Sequence, residues 1–147
     1  DPTIVTLSVH MARGWPLDGD ERRADGSLNP SFVPSDIDVD IESGEEPQYL
    51  PRLAEALERL ASGPRPDLAL VLAGADPYEK DELPSTRLLK LTAAQMLERD
   101  RMIYRFLEER GIPAAFLMAG GYGEHAWEVY PPFLEPLLTA RLSAAPH

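Results

Sequence analysis

Three short, mostly apolar runs constrain this chain more than any other feature: Ile4 to Val9, Leu68 to Ala73 and Ala114 to Met118. Runs of this length, rich in Ile, Val, Leu and Phe, are expected as strands covered on both faces. The second runs into Gly74-Ala75-Asp76-Pro77 and the third into Gly120-Gly121-Tyr122-Gly123. Between the runs the period changes to that of a helix. From Glu46 to Ala61 a stripe of Tyr49, Leu53, Leu57 and Leu60 recurs every three or four residues. Pro51 is tolerable there because it falls in the first turn, and Gly63-Pro64-Arg65-Pro66 ends the helix. Thr92-Ala93-Ala94-Gln95 has capping-box spacing and opens a helix to about Arg110, with Met96, Ile103 and Leu107 on one face and Gly111 as its stop. A last helix is expected from about Glu124, interrupted by Pro131-Pro132. Strands alternating with helices predict an α/β fold with a parallel sheet.

Two further segments qualify this picture. Asp36-Ile37-Asp38-Val39-Asp40-Ile41 alternates strictly, which predicts a half-exposed or edge strand. Its aspartates do not make a calcium loop, because Ile41 stands where Gly is required and Pro47 where Glu is required. Ala12 to Pro34 is loop-like, and its polar middle, Asp18 to Ser27, is expected as a surface excursion.

In parallel sheets ligands bind beyond the carboxyl ends of the strands. Asp76, the Gly120-Gly121-Tyr122 turn and His10 all fall at that edge, with Trp15 a few residues further on. A carboxylate there suits a metal ligand or general base, or else caps a backbone N–H. A phenol there can stabilise a developing oxyanion, or simply be a half-buried Tyr in a tight turn. His10, His125 and His147 cannot form a metal cluster by spacing, and His125 and His147 are expected to be incidental. The H-E-x-x-H, G-x-S-x-G and phosphate-binding glycine patterns are all lacking.

With no cysteine in the chain, disulfides and thiolate metal sites are excluded, so any metal falls to Asp, Glu or His. The net charge of −11 disfavours non-specific nucleic-acid binding and suits cationic ligands such as lysine-rich peptides or polyamines. No apolar run approaches the roughly 18–20 residues that span a bilayer, and no signal peptide opens the chain, so no membrane partner and a cytoplasmic location are expected. The chain opens at Asp1-Pro2, one step before a core strand and without an initiator Met, which raises the expectation of a piece cut from a longer protein.

Taken together, these segments resemble the histone deacetylase superfamily, which includes acetylpolyamine amidohydrolases. The resemblance runs from Ile4 to about Leu138. Leu70-Val71-Leu72-Ala73-Gly74-Ala75-Asp76 looks like the family segment ending in a zinc-binding aspartate. Leu91-Thr92 and Arg99-Asp100 have the family's spacing. Ala119-Gly120-Gly121-Tyr122-Gly123 is similar to the family motif whose tyrosine is catalytic, and Ser8-Val9-His10 matches a strand that helps bind a structural potassium ion. The resemblance implies the C-terminal portion, residues 1–147, of a single deacetylase domain of the arginase/deacetylase type, a three-layer αβα fold with a parallel sheet and 18–27 as an insertion.

It further implies a zinc ion, or iron in its place, with Asp76 as one of three ligands. Metal-activated water would attack an acetyl-lysine or acetylpolyamine amide while Tyr122 stabilises the oxyanion. Ser8 and Val9 would serve the potassium ion, and Trp15, Leu83, Gly120 and Gly121 would line the substrate tunnel. The family's histidine pair and Asp-x-His ligands have no counterpart in this sequence; in the family they lie upstream. This chain alone is therefore expected to be inactive, with the missing N-terminal half as its partner. Pro84-Ser85-Thr86-Arg87 replaces the family's glycine-containing turn, which leaves substrate identity open. The alternative is a non-catalytic α/β binding or assembly module that keeps the fold.

Overall fold

A computed structural model describes residues 1–17 and 19–144. Asp18, the first residue of the expected surface excursion, and His147 lie outside the described residues. The chain divides into two compact units, residues 1–65 and 66–147.

In the first unit, strands β1 (Leu7–Met11) and β2 (Ile37–Ile41) pair in parallel, Leu7 opposite Ile37 and Met11 opposite Ile41. The Asp36 carboxylate fixes the start of this register, accepting from the backbone N–H of Thr6 at 2.8 Å and from its hydroxyl at 2.9 Å. A parallel pair needs a long crossover, and residues 12–36 provide it. That crossover is not structureless. It is pinned by bridges between Leu17 and Phe32 and between Arg22 and Leu28, with the Asn29 side chain donating to the Asp20 carbonyl at 3.0 Å. Helix α1 (Tyr49–Ala61), preceded by a 3-10 turn at Glu46–Gln48, buries Tyr49, Leu53, Ala56 and Leu57. Its apolar face meets β1 and β2. The alternation expected of β2 is observed: Ile37, Val39 and Ile41 are buried and Asp40 is exposed.

The second unit pairs β3 (Ala69–Ala73) with β4 (Ala114–Met118), again in parallel, Ala69 opposite Ala114 and Ala73 opposite Met118. Helix α2 (Ala93–Glu109) crosses between them. Its capping box forms as the spacing predicts: the Gln95 N–H donates to the Thr92 hydroxyl at 3.2 Å, and the Thr92 N–H to the Gln95 side chain at 3.0 Å. Helix α3 is Pro131–Ala144. Phe116 of β4 packs on Phe133 of α3, ring centroids 5.4 Å apart, and Phe133 meets Tyr104 of α2 edge-on at 6.1 Å. These rings join sheet and helices into one core.

Three expectations are corrected. The first strand begins at Leu7, not Ile4; Ile4 and Val5 are exposed, and only His10 of β1 is fully buried. β3 is not covered on both faces. Side chains alternate along a strand, so Val71 shares a face with Phe116 and with the helices, while Leu70 and Leu72 point the other way and are 66% and 72% exposed. The last helix is not interrupted by Pro131-Pro132. A short 3-10 turn, Ala126–Val129, precedes it, and the two prolines start α3, where their missing N–H groups have no partner to lose. The parallel α/β character expected from the sequence is present in both units.

Candidate active site

The second unit carries the candidate site at the shared carboxyl end of β3 and β4. Beyond β3 the chain reads Gly74-Ala75-Asp76, and beyond β4 it reads Ala119-Gly120-Gly121-Tyr122. The two loops are bonded to each other, the Ala75 N–H donating to the Gly120 carbonyl. Gly120 lies directly against the Asp76 side chain: a Cβ there would stand 2.7 Å from the carboxyl carbon, closer than real contacts allow. Gly121 has φ +145° and would press a Cβ to 2.7 Å from that of Ala75, so only glycine seats this loop on its neighbour.

The Asp76 loop is braced from behind. Arg99, buried in α2, donates from Nη1 to the Gly74 carbonyl at 2.8 Å and from Nε to Asp100 at 2.8 Å. The Tyr130 hydroxyl donates to the Ala73 carbonyl at 3.3 Å. Asp76 itself is half-buried. Burial pushes its carboxyl above the ordinary aspartate range; its own backbone N–H counters this, Asp81 adds to the rise and the Arg99 guanidinium opposes it.

Tyr122 is 48% exposed, and its phenol has no hydrogen-bond partner among the described residues. Its backbone is held firmly instead. The Tyr122 N–H donates to Asp81 Oδ2 at 2.6 Å, and its carbonyl accepts from the Glu82 N–H at 3.1 Å. Leu83 is half-buried next to this contact, its N–H donating to Asp81 Oδ1 at 3.0 Å. The structure thus brings together Asp76, Gly120, Gly121, Tyr122 and Leu83.

Ser8, Val9 and Trp15 belong to the first unit. Ser8 and Val9 are half-buried in β1, opposite Asp38 and Val39, and Trp15 is exposed in the crossover at 69%. His10 is buried, its Nδ1–H donating to the Met11 carbonyl at 2.8 Å while Nε2 lies 3.4 Å from Asp38. His125 lies 2.7 Å from Glu128 through Nδ1, and Glu128 also accepts from Lys80 and Tyr78.

Sequence reasoning gave no role to Asp81, Glu82 or Arg99. Arg99 left a signal, standing three residues after Met96 and four before Ile103 on the apolar face of α2. Asp81 left none, since its bond to Tyr122 spans 41 residues. Among the described residues no group of three or more His, Asp or Glu could hold a metal ion, whereas a catalytic zinc takes three protein ligands. Asp76 suits one such ligand, and the described residues alone do not make the site. No helix among them is long and apolar enough to cross a membrane.

A carboxylate and a phenol presented from adjoining strand ends place two polar side chains at the carboxyl edge of a parallel sheet in an α/β protein. The histone deacetylase domain model matches residues 1–130, and the chain belongs to that family. It is similar to histone deacetylase 2 of Arabidopsis thaliana, 33% identical over 91% of this chain and 37% of that protein. It is also similar to an uncharacterised protein of Picosynechococcus sp., 31% identical over 85% of this chain and 37% of the relative. The chain thus spans 37% of the length of these curated relatives.

Proposed function

We propose that this chain supplies Asp76 and Tyr122 to a metal-dependent amide hydrolase that removes acetyl groups from acetyl-lysine peptides or acetylated polyamines. The observation that carries the reading is the seating of Gly120 against the Asp76 carboxylate, which makes the carboxylate and the phenol leave from two interlocked loops. Family membership and the activity named for the Arabidopsis relative support the same class. Asp76 would be one metal ligand, its partners coming from beyond the described residues, and this chain alone would be inactive. When bound, a zinc or iron ion polarises the amide and lowers the pKa of water toward neutrality.

The Tyr122 phenol, without a hydrogen-bond partner among the described residues and half in solvent, would donate to the amide oxygen as negative charge develops there. Leu83, Gly120 and Gly121 would form one wall of the acyl channel. Ser8 and Val9 would bind a structural potassium ion. The acidic balance of the chain favours a cationic amine product.

The test is acetate release from an acetyl-lysine peptide by the full-length natural protein and its Tyr122→Phe variant. Expected is activity abolished by chelation and lowered on the order of 10²–10³-fold in kcat by Tyr122→Phe, the loss typical of one oxyanion donor. A variant as active as the parent removes Tyr122 from the mechanism. Bound metal without hydrolysis redirects the search to another acyl group or amine. Neither metal nor hydrolysis favours the binding-module alternative.

A further inference from the structure

We propose that Asp81 is a positioning residue for Tyr122, and that Asp81 and Glu82 together clamp the phenol's backbone in its working place. The inference rests on the hydrolase reading for its consequence, though the clamp itself is a matter of geometry. Asp81 is a buried carboxylate, 7% exposed, and it accepts from Leu83 and Tyr122 of the site and from Thr86 beside them. Oδ1 takes the Leu83 N–H at 3.0 Å and the Thr86 hydroxyl at 2.8 Å, and Oδ2 takes the Tyr122 N–H at 2.6 Å. Bonds from N–H or O–H to an ionised carboxylate are shorter and stronger than neutral ones, and a buried carboxylate with several donors is costly to leave unpaired.

The neighbouring residue closes the other side. The Glu82 N–H donates to the Tyr122 carbonyl at 3.1 Å, and the Glu82 carboxylate accepts from the Glu124 N–H at 3.0 Å. Tyr122 is therefore gripped at its N–H and at its carbonyl by consecutive residues of a different loop.

This grip matters because no hydrogen bond among the described residues holds the ring itself. The preceding Gly121 at φ +145° sits where the backbone is freest. A group that must meet a developing oxyanion within about 0.5 Å and 10–20° has to be held by packing or by supporting hydrogen bonds. Here the support reaches the ring through the main chain, and Asp81 is its anchor.

The decisive experiment uses the full-length natural protein with Asp81→Ala, the milder Thr86→Val, and each combined with Tyr122→Phe. Expected for Asp81→Ala is a 10–100-fold fall in kcat, the usual range for loss of a supporting partner, with KM and bound metal nearly unchanged. Thr86→Val, which keeps the carboxylate but removes one of its donors, falls in the same direction by less. In the Tyr122→Phe background Asp81→Ala adds less than about threefold, since a residue acting through the phenol has little left to lose. An equal loss in both backgrounds overturns the proposal. Amide hydrogen exchange at Tyr122 gives a readout that does not require catalysis. Protection that disappears in Asp81→Ala, and weakens in Thr86→Val, supports the clamp even if the protein proves to hydrolyse a different amide or none. Protection unchanged in Asp81→Ala sinks it.

Discussion

In β2 the sequence and the burial alternate together: Ile37, Val39 and Ile41 face the core, and Asp40 faces water. In β3 burial alternates and the sequence does not. Ala73 is buried and Val71 half-buried, while Leu70 and Leu72 stand exposed on the side where β2 carries aspartate. Leu117 of β4, opposite Leu72, extends the same exposed apolar face. An alternating strand declares one wet face. A strand apolar throughout has the composition of one covered twice, and within this chain α2 and α3 cover only one side of it. The difference separates what a residue pattern is suited to from what a given stretch of chain provides.

The largest test of this contrast is a pair of truncations in the 147-residue chain, followed by denaturant unfolding. Ile41→Ala, at a position 1% exposed, is expected to cost about 2–5 kcal/mol. Leu72→Ala, on the open face, is expected to stay within about 0.5 kcal/mol, as for a surface site. Equal losses would break the comparison and show the second face of β3 to be covered in solution.

A smaller effect probes the face that is covered. Thr92→Ala removes the hydroxyl that accepts from Gln95 at the start of α2 and is expected to cost about 1 kcal/mol. A neutral result would mean that packing of the Tyr104 ring, and not the cap, sets the stability of that helix.

The smallest effect is electrostatic. Glu128 accepts from His125, Lys80 and Tyr78, and these bonds hold its carboxyl down to about 2 from an ordinary value of 4.5. A depressed carboxyl stabilises the folded state above its unfolded value and loses that contribution as pH falls through its folded value. The melting-temperature advantage over Glu128→Gln should hold from neutral pH to near 4.5, then fade between 4.5 and about 2. An advantage that peaks in acid would refute the assignment.

Much of this was legible in sequence because it is local. Period and capping located α1 and α2, and the alternating aspartates announced the wet face of β2. Glycines at the strand ends marked the site's edge, and resemblance gave Asp76 and Tyr122 their proposed roles. What escaped was long-range or negative. Nothing near Asp81 signals that its partner lies 41 residues on, and an all-apolar run cannot say which of its faces will be covered. The prolines at 131 and 132 misled because Pro breaks a helix interior yet suits its first turn.

The bond from Arg99 to the Gly74 carbonyl has a consequence for the order of assembly. α2 carries its own cap, and β3 can form its ladder with β4, but the rim beyond β3 receives its brace only when the helix is seated. Until then the guanidinium keeps its water and the Gly74 carbonyl keeps its own. The bond can form only once that helix has docked, which makes it a late support for the loop bearing Asp76 and for the glycine turn resting on it.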